Sequence, residues 1–167
     1  KNTSKWADCP LSRAPADPTL GPMDKTLFSF GHGYTAQALA ARLIPQGWRI
    51  IGTSRSAARR AVIQAQGVEP VEWPGSDLTD LLQAADHLLI SAGPGEDGDP
   101  VLAALQDQIT ELAPNLRWAG YLSTTGVYGD HQGDWVDENT PLSASTKRGQ
   151  ARIKAEAAWQ NIEGLPL

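Results

Sequence analysis

Residues 25–55, KTLFSFGHGYTAQALAARLIPQGWRIIGTSR, decide how the rest of the chain is read. An apolar run (Leu27, Phe28, Phe30) stops abruptly at Gly31-His32-Gly33-Tyr34-Thr35-Ala36. Leu39, Ala40, Leu43 and Ile44 then recur at helical spacing, and Gly47 closes that stretch. Trp48-Arg49-Ile50-Ile51-Gly52 reads as a second buried strand. The order is strand, glycine turn, helix, strand, a βαβ unit, and that context gives a glycine pattern meaning.

The pattern is G-x-G-x-x-A, and each small residue has its own steric task. Gly31 permits the tight turn off the strand, Gly33 lets a pyrophosphate approach the backbone, and Ala36 lets helix and strand pack closely. The unpaired N–H groups and positive dipole end of the new helix, at Tyr34 and Thr35, would face the phosphates. The competing reading is an ordinary βα turn that binds nothing. About 20 residues past the glycines an NAD site carries Asp or Glu for the ribose 2′-hydroxyl. Here Thr53-Ser54-Arg55 stands there, with Arg59 and Arg60 following. Hydroxyls with a guanidinium suit a 2′-phosphate, so NADP is expected over NAD, chiefly through Ser54 and Arg55. Otherwise the three arginines are a solvated helix start.

At 167 residues the chain suits one domain with a single core. Its net charge of −5 argues against a broad basic face for nucleic acid. No run of 18 apolar residues exists, so no membrane span is expected. A single cysteine, Cys9, leaves no internal disulfide, which makes a reducing, cytoplasmic setting the default. Residues 1–22 carry four prolines and no sustained period. They read as a leader, cloning-derived or an upstream extension, disordered or draped over the domain, with Met23 as the natural start and 23–167 as the domain proper.

Beyond the first unit, Ser56–Gln66 has helical spacing and Val68–Trp73 is a short strand near a sheet edge, since Pro70 lacks a donor. Ser76 or Asp77 is placed to cap a following helix, and Asp77 and Leu78 are candidates to contact an adenine. His87–Ser91 suits a central parallel strand ending in Ala92-Gly93, small residues across which a dinucleotide can lie. A helix over Val101–Leu112 and a strand over Trp118–Ser123 follow. The alternation favours a Rossmann-type, doubly wound parallel sheet in a three-layer αβα arrangement, strand order 3-2-1-4-5. His32, His87 and His131 lack metal-site spacing, so no metal is expected. Within the glycine turn His32 reads as solvent-exposed, with contact to the pyrophosphate as the other option. The six tryptophans read as packing anchors.

A more specific stretch is Tyr121-Leu122-Ser123-Thr124-Thr125-Gly126-Val127-Tyr128-Gly129-Asp130, followed by Trp135-Val136-Asp137-Glu138-Asn139-Thr140-Pro141. With the glycine turn, it resembles the extended short-chain dehydrogenase/reductase family, the NAD-dependent epimerase/dehydratase group. That family has a strand ending in a Ser/Thr cluster, then V-Y-G, then an acidic D-E-x-x-P stretch before its active-site helix. The resemblance spans Lys25 to about Gln160. It implies a dinucleotide cofactor with Ser123 near it, a small carbonyl or sugar-nucleotide-like substrate, and Thr124 as the catalytic hydroxyl. Without the resemblance, Thr124 is a strand-end hydroxyl satisfying backbone groups.

The family's helix also carries Y-x-x-x-K, and counting back from Ala155-Glu156 puts those places on Arg148 and Arg152. A guanidinium stays protonated above pH 12 and cannot cycle a proton near neutrality. The resemblance is therefore to an atypical member. Three accounts of the two arginines stay open: a clamp for an anionic substrate or the cofactor phosphates, surface charge with i,i+4 pairing of Arg152 to Glu156, or a proton supplied elsewhere, with Tyr128 the nearest candidate. The family's sixth strand and C-terminal substrate-binding region are expected to be missing here, and a homo-oligomer or a completing partner chain is compatible with that. The function expected is an NADP-preferring oxidoreductase or epimerase/dehydratase; the alternative is a non-catalytic NADP(H)-binding redox sensor.

Overall fold

The structure, a computed structural model, describes residues 25–167. The expectations for residues 1–22 and Met23 lie outside the described residues. Five strands form one parallel sheet: β1 (Thr26–Phe30), β2 (Arg49–Thr53), β3 (Glu69–Val71), β4 (His87–Ile90) and β5 (Trp118–Tyr121). Their order is β3-β2-β1-β4-β5, the doubly wound Rossmann-type order, with β1 central and the reversal between β1 and β4. Five helices alternate with the strands: α1 (Tyr34–Leu43), α2 (Ala57–Ala65), α3 (Thr79–Gln83), α4 (Pro100–Leu112) and α5 (Lys147–Gln160).

The strands are nearly continuous apolar runs because both faces of the sheet are covered. Side chains alternate along a strand, so neighbours in sequence feed opposite cores. Phe28, Phe30, Leu88 and Ile90 point to one side and meet Leu82, Val101, Ile109 and Trp159 from α3, α4 and α5. Leu27, Ile50 and Leu89 point to the other and meet Ala36, Ala40 and Ile63 from α1 and α2. Ala36 is 1% exposed, so the third small residue of the glycine pattern does sit at a tight helix–sheet contact.

Local chemistry moves several boundaries from where the sequence puts them. The third strand is shorter than Val68–Trp73: Val68 is buried in the α1–α2 core, and pairing with β2 runs only from Glu69 to Val71. Pro70 does lie on the edge strand, opposite Gly52. Leu78, not Ser76 or Asp77, occupies the cap position of α3, while Asp77 closes a local turn by accepting from the Thr79 N–H. The last helix starts at Lys147, capped by Thr146, whose hydroxyl accepts from the Gly149 N–H at 3.0 Å. After α5 the backbone returns to the outer edge of β5, where the Pro166 carbonyl accepts from the Ala119 N–H.

Candidate functional site

A cleft of about 820 Å³ opens where the strand order reverses, at the carboxyl ends of the strands. That is where open α/β sheets take ligands. Its floor is the turn after β1. Gly31 adopts φ +75°, and a Cβ there would stand 2.9 Å from the Ala92 nitrogen, so only glycine fits. The turn is fixed from β2: the Thr53 hydroxyl accepts from the Gly31 N–H at 2.8 Å, and the Thr53 carbonyl accepts from the His32 N–H at 3.0 Å. The first helical bond of α1 runs from the Gln37 N–H to the Gly33 carbonyl. The N–H groups of Tyr34, Thr35 and Ala36 therefore precede it, at the end of the helix where the macrodipole is positive.

Of the residues expected at a dinucleotide, Gly31, Gly33, Ser54, Arg55, Ala92 and Gly93 line the cleft. Tyr34 opens α1 beside them and is 91% exposed. Thr53 is 2% exposed and spends its hydroxyl on Gly31 and on the Ser29 carbonyl, so it is part of the turn and not of a phosphate grip. Among the later arginines, Arg59 lines the cleft. Arg60 instead pairs with Glu72 at 3.0 Å and donates to the Ser54 and Arg55 carbonyls, holding the strand-to-helix turn in shape.

Two expectations change on the adenine side. Leu78 is buried in the core, 2% exposed, and cannot also face a base. Asp77 is exposed but absent from the cleft lining; the Thr79 N–H and hydroxyl lower its pKa. Trp73 and Pro74 line the cleft instead, with Trp73 edge-on to Phe30 at 5.4 Å between ring centroids. Asp97 and Asp99 form part of the opposite wall. The sequence reading missed all four.

His32 is not solvent-exposed. It is 4% exposed, both ring nitrogens are buried without partners, and burial lowers its pKa. Its ring fills the space over Gly52, where a Cβ would stand 2.7 Å from the imidazole Cγ.

The residues after β5 form a second group, outside the lining of that cleft. Thr124 caps a short 3-10 turn at Thr125–Val127, its hydroxyl accepting from the Gly126 N–H at 3.3 Å. The Ser123 hydroxyl donates to the Glu156 carboxylate of α5. Tyr128 ends the 3-10 turn, and its carbonyl accepts from Ser143. Arg148 is exposed in the first turn of α5. Arg152, one turn on, is 8% exposed, so the surface account does not hold for it. Its Nη1 donates to the Leu122 carbonyl at 2.5 Å, and Glu156 bonds to Ser123 and not to Arg152. Among the described residues no group of His, Cys, Asp and Glu could hold a metal ion, and no helix is long and apolar enough to cross a membrane.

No protein-family model matches the chain, and no curated protein matches it. Among solved structures it is similar to a functionally unknown conserved protein from Silicibacter pomeroyi DSS, with a TM-score of 0.82 and 57% identity over 86% of this chain and 50% of that one. It is also similar to the Bordetella bronchiseptica enzyme WbmG, solved with NAD and UDP: TM-score 0.59, 20% identity, 83% of this chain and 50% of that one. A UDP-glucose 4-epimerase gives a TM-score of 0.62 at 16% identity, covering 81% of this chain and 46% of that one. The last two likenesses, at such identities, are likenesses of fold. The chain spans about half the length of these structures.

Proposed function

We propose that this chain binds a nicotinamide dinucleotide, with NADP preferred, and forms the cofactor-binding part of an oxidoreductase or epimerase of the epimerase/dehydratase kind. The observation that carries the reading is the junction of three things in one cleft: the Gly31 corner, the open N-terminus of α1, and Arg55 and Arg59 at the end of β2. The residues fit the group. Backbone N–H groups and a helix dipole suit the pyrophosphate, and two guanidiniums beside Ser54 suit a 2′-phosphate. No carboxylate stands at the end of β2 to claim a free 2′-hydroxyl. Two of the similar structures are enzymes, and WbmG was solved with NAD and UDP, which supports a sugar-nucleotide-like or small carbonyl substrate.

When bound, the dinucleotide supplies or removes hydride, and the protein supplies orientation. The Thr124 hydroxyl, which accepts from Gly126, keeps its own proton to donate to a substrate oxygen. A second reading, a non-catalytic NADP(H)-binding sensor, is favoured by one observation: α5 carries no tyrosine, and Arg148 stands at the tyrosine's place in the family pattern. Fluorescence titration with NADPH and NADH, followed by a carbonyl panel scored by NADPH oxidation, tests both. Tight NADPH binding with turnover supports the enzyme, tight binding alone supports the sensor, and no binding overturns both.

A further inference from the structure

His32 stands alone at the tip of the Gly31 corner, because the Gly33 N–H bonds back to the Gly31 carbonyl at 2.7 Å. Its backbone is pinned at both ends. The N–H donates to the Thr53 carbonyl at 3.0 Å, and the carbonyl accepts from the Gln37 side chain at 3.4 Å. Rotation of the side chain is the freedom that remains. The ring sits in a pit that one methyl would fill: a Cβ at Gly52 would stand 2.7 Å from the imidazole Cγ and 2.9 Å from Val68 Cγ1. In that pit neither nitrogen has a hydrogen-bond partner, although His32 is only 4% exposed and belongs to the lining of the cleft. Buried polar groups are nearly always paired, so this imidazole calls for an explanation.

The groups around His32 are neutral: Gly52 and Thr53 from β2, Val68 before β3, and Gln37 from α1. The charged side chains of the cleft lining are Arg55 and Arg59 on the β2 side and Asp97 and Asp99 on the α4 side. Burial lowers the proton affinity of the ring, and a cation cannot be held in a pit without a partner. A protonated ring must therefore turn out, and the cleft is the space it lines. The turn that carries it also opens the helix whose N-terminus would take the phosphates.

We propose that His32 is a proton-linked latch of the dinucleotide site: neutral and seated against Gly52 in the free chain, protonated and turned toward the phosphates in the bound one. The inference rests on the dinucleotide reading and adds its regulation. Nucleotide binding draws a proton from solvent onto the imidazole, and the imidazolium becomes a counter-ion for the phosphates. By linkage the reverse holds with the same factor, so mild acid tightens the site. Histidine suits this task because it changes charge between pH 5 and 8.

The test uses the full chain and measures NADP binding at pH 8 first. No binding there would sink the dinucleotide reading, and the latch with it. NMR of the imidazole rings then follows the titration of His32, its signal identified among the three histidines by its loss in His32→Asn. The midpoint should rise when NADP saturates the site. From pH 8 to pH 6 NADP affinity should gain at least ~3-fold more in the parent chain than in His32→Asn; titration of the 2′-phosphate itself is common to both chains. Calorimetry in buffers of different ionisation enthalpy should show greater proton uptake on binding in the parent. His32→Gln, in case the Asn variant folds poorly, should match it in both measurements. Binding at pH 8 with a His32 midpoint that stays or falls on adding NADP, or a pH dependence identical in parent and variants, would leave the dinucleotide reading standing and overturn the latch.

Discussion

The Thr53 hydroxyl of β2 holds the Gly31 N–H of the neighbouring strand end at 2.8 Å, joining the two halves of the proposed dinucleotide site through one part-buried bond. Thr53→Val keeps the shape and removes the acceptor, leaving a part-buried N–H unpaired at a cost of about 1 kcal/mol. Chemical denaturation should show that loss, and NADPH and NADH binding should weaken together because the shared corner has loosened. Unchanged stability would mean that the bond contributes nothing to the turn.

The three arginines after β2 should separate by role. Arg55→Ala and Arg59→Ala are each expected to weaken NADPH by roughly 10- to 100-fold while sparing NADH, since each removes a charge-assisted bond to a 2′-phosphate. Arg60→Ala removes a pair with Glu72 and two carbonyl contacts, so its effect should be on the melting temperature, with NADPH and NADH affected alike. Equal losses for both nucleotides at Arg55 and Arg59 would remove the case for the 2′-phosphate.

Thr124→Val should abolish turnover, by ~100-fold or more, if that hydroxyl meets the substrate. Thr124→Ser should retain it. A purely structural Thr124 gives a different pattern: both variants would keep activity, and only Val would cost stability through the lost Gly126 contact.

His32 should make the fold sensitive to mild acid. Its folded-state pKa lies below the ordinary value of 6.5, so the unfolded chain takes up a proton first as the pH falls. Above about pH 6.5 the imidazole has no effect. Below it, stability declines until the folded-state pKa is passed. Thermal melts from pH 8 to pH 5 should show that decline, and His32→Asn should flatten it; an identical slope in the variant would assign the acid sensitivity to other groups.

What the sequence made legible was what local backbone chemistry dictates. The Gly31 corner and α1 follow from small residues at fixed offsets and apolar runs written within about thirty residues of chain, and the strand order follows from the strand–helix alternation that continues to residue 121. The fate of His32 was not legible, because a polar residue between two glycines is buried only if a distant position, Gly52, leaves room for the ring. Leu78 is a similar case: its place in the turn beside Asp77 made it a candidate to contact an adenine, while packing drew its side chain into the core. Arg152 reads as surface charge along its helix, and only folding brings it against Tyr121 and under Gly93. Trp73, Asp97 and Asp99 reach the cleft from turns with no motif of their own.

The cleft has unlike banks, with Arg55 and Arg59 on the β2 side and Asp97 and Asp99 on the α4 side. A dinucleotide is itself a dipole of that kind when oxidised, with phosphates toward one end and a cationic ring at the other. Lying across such a gradient, it has one favourable heading and one that sets like against like. If the proposed dinucleotide lies with its ring toward Asp97 and Asp99, that acidic bank favours the cationic ring over its neutral, hydride-bearing form and tilts the bound pair toward giving hydride away.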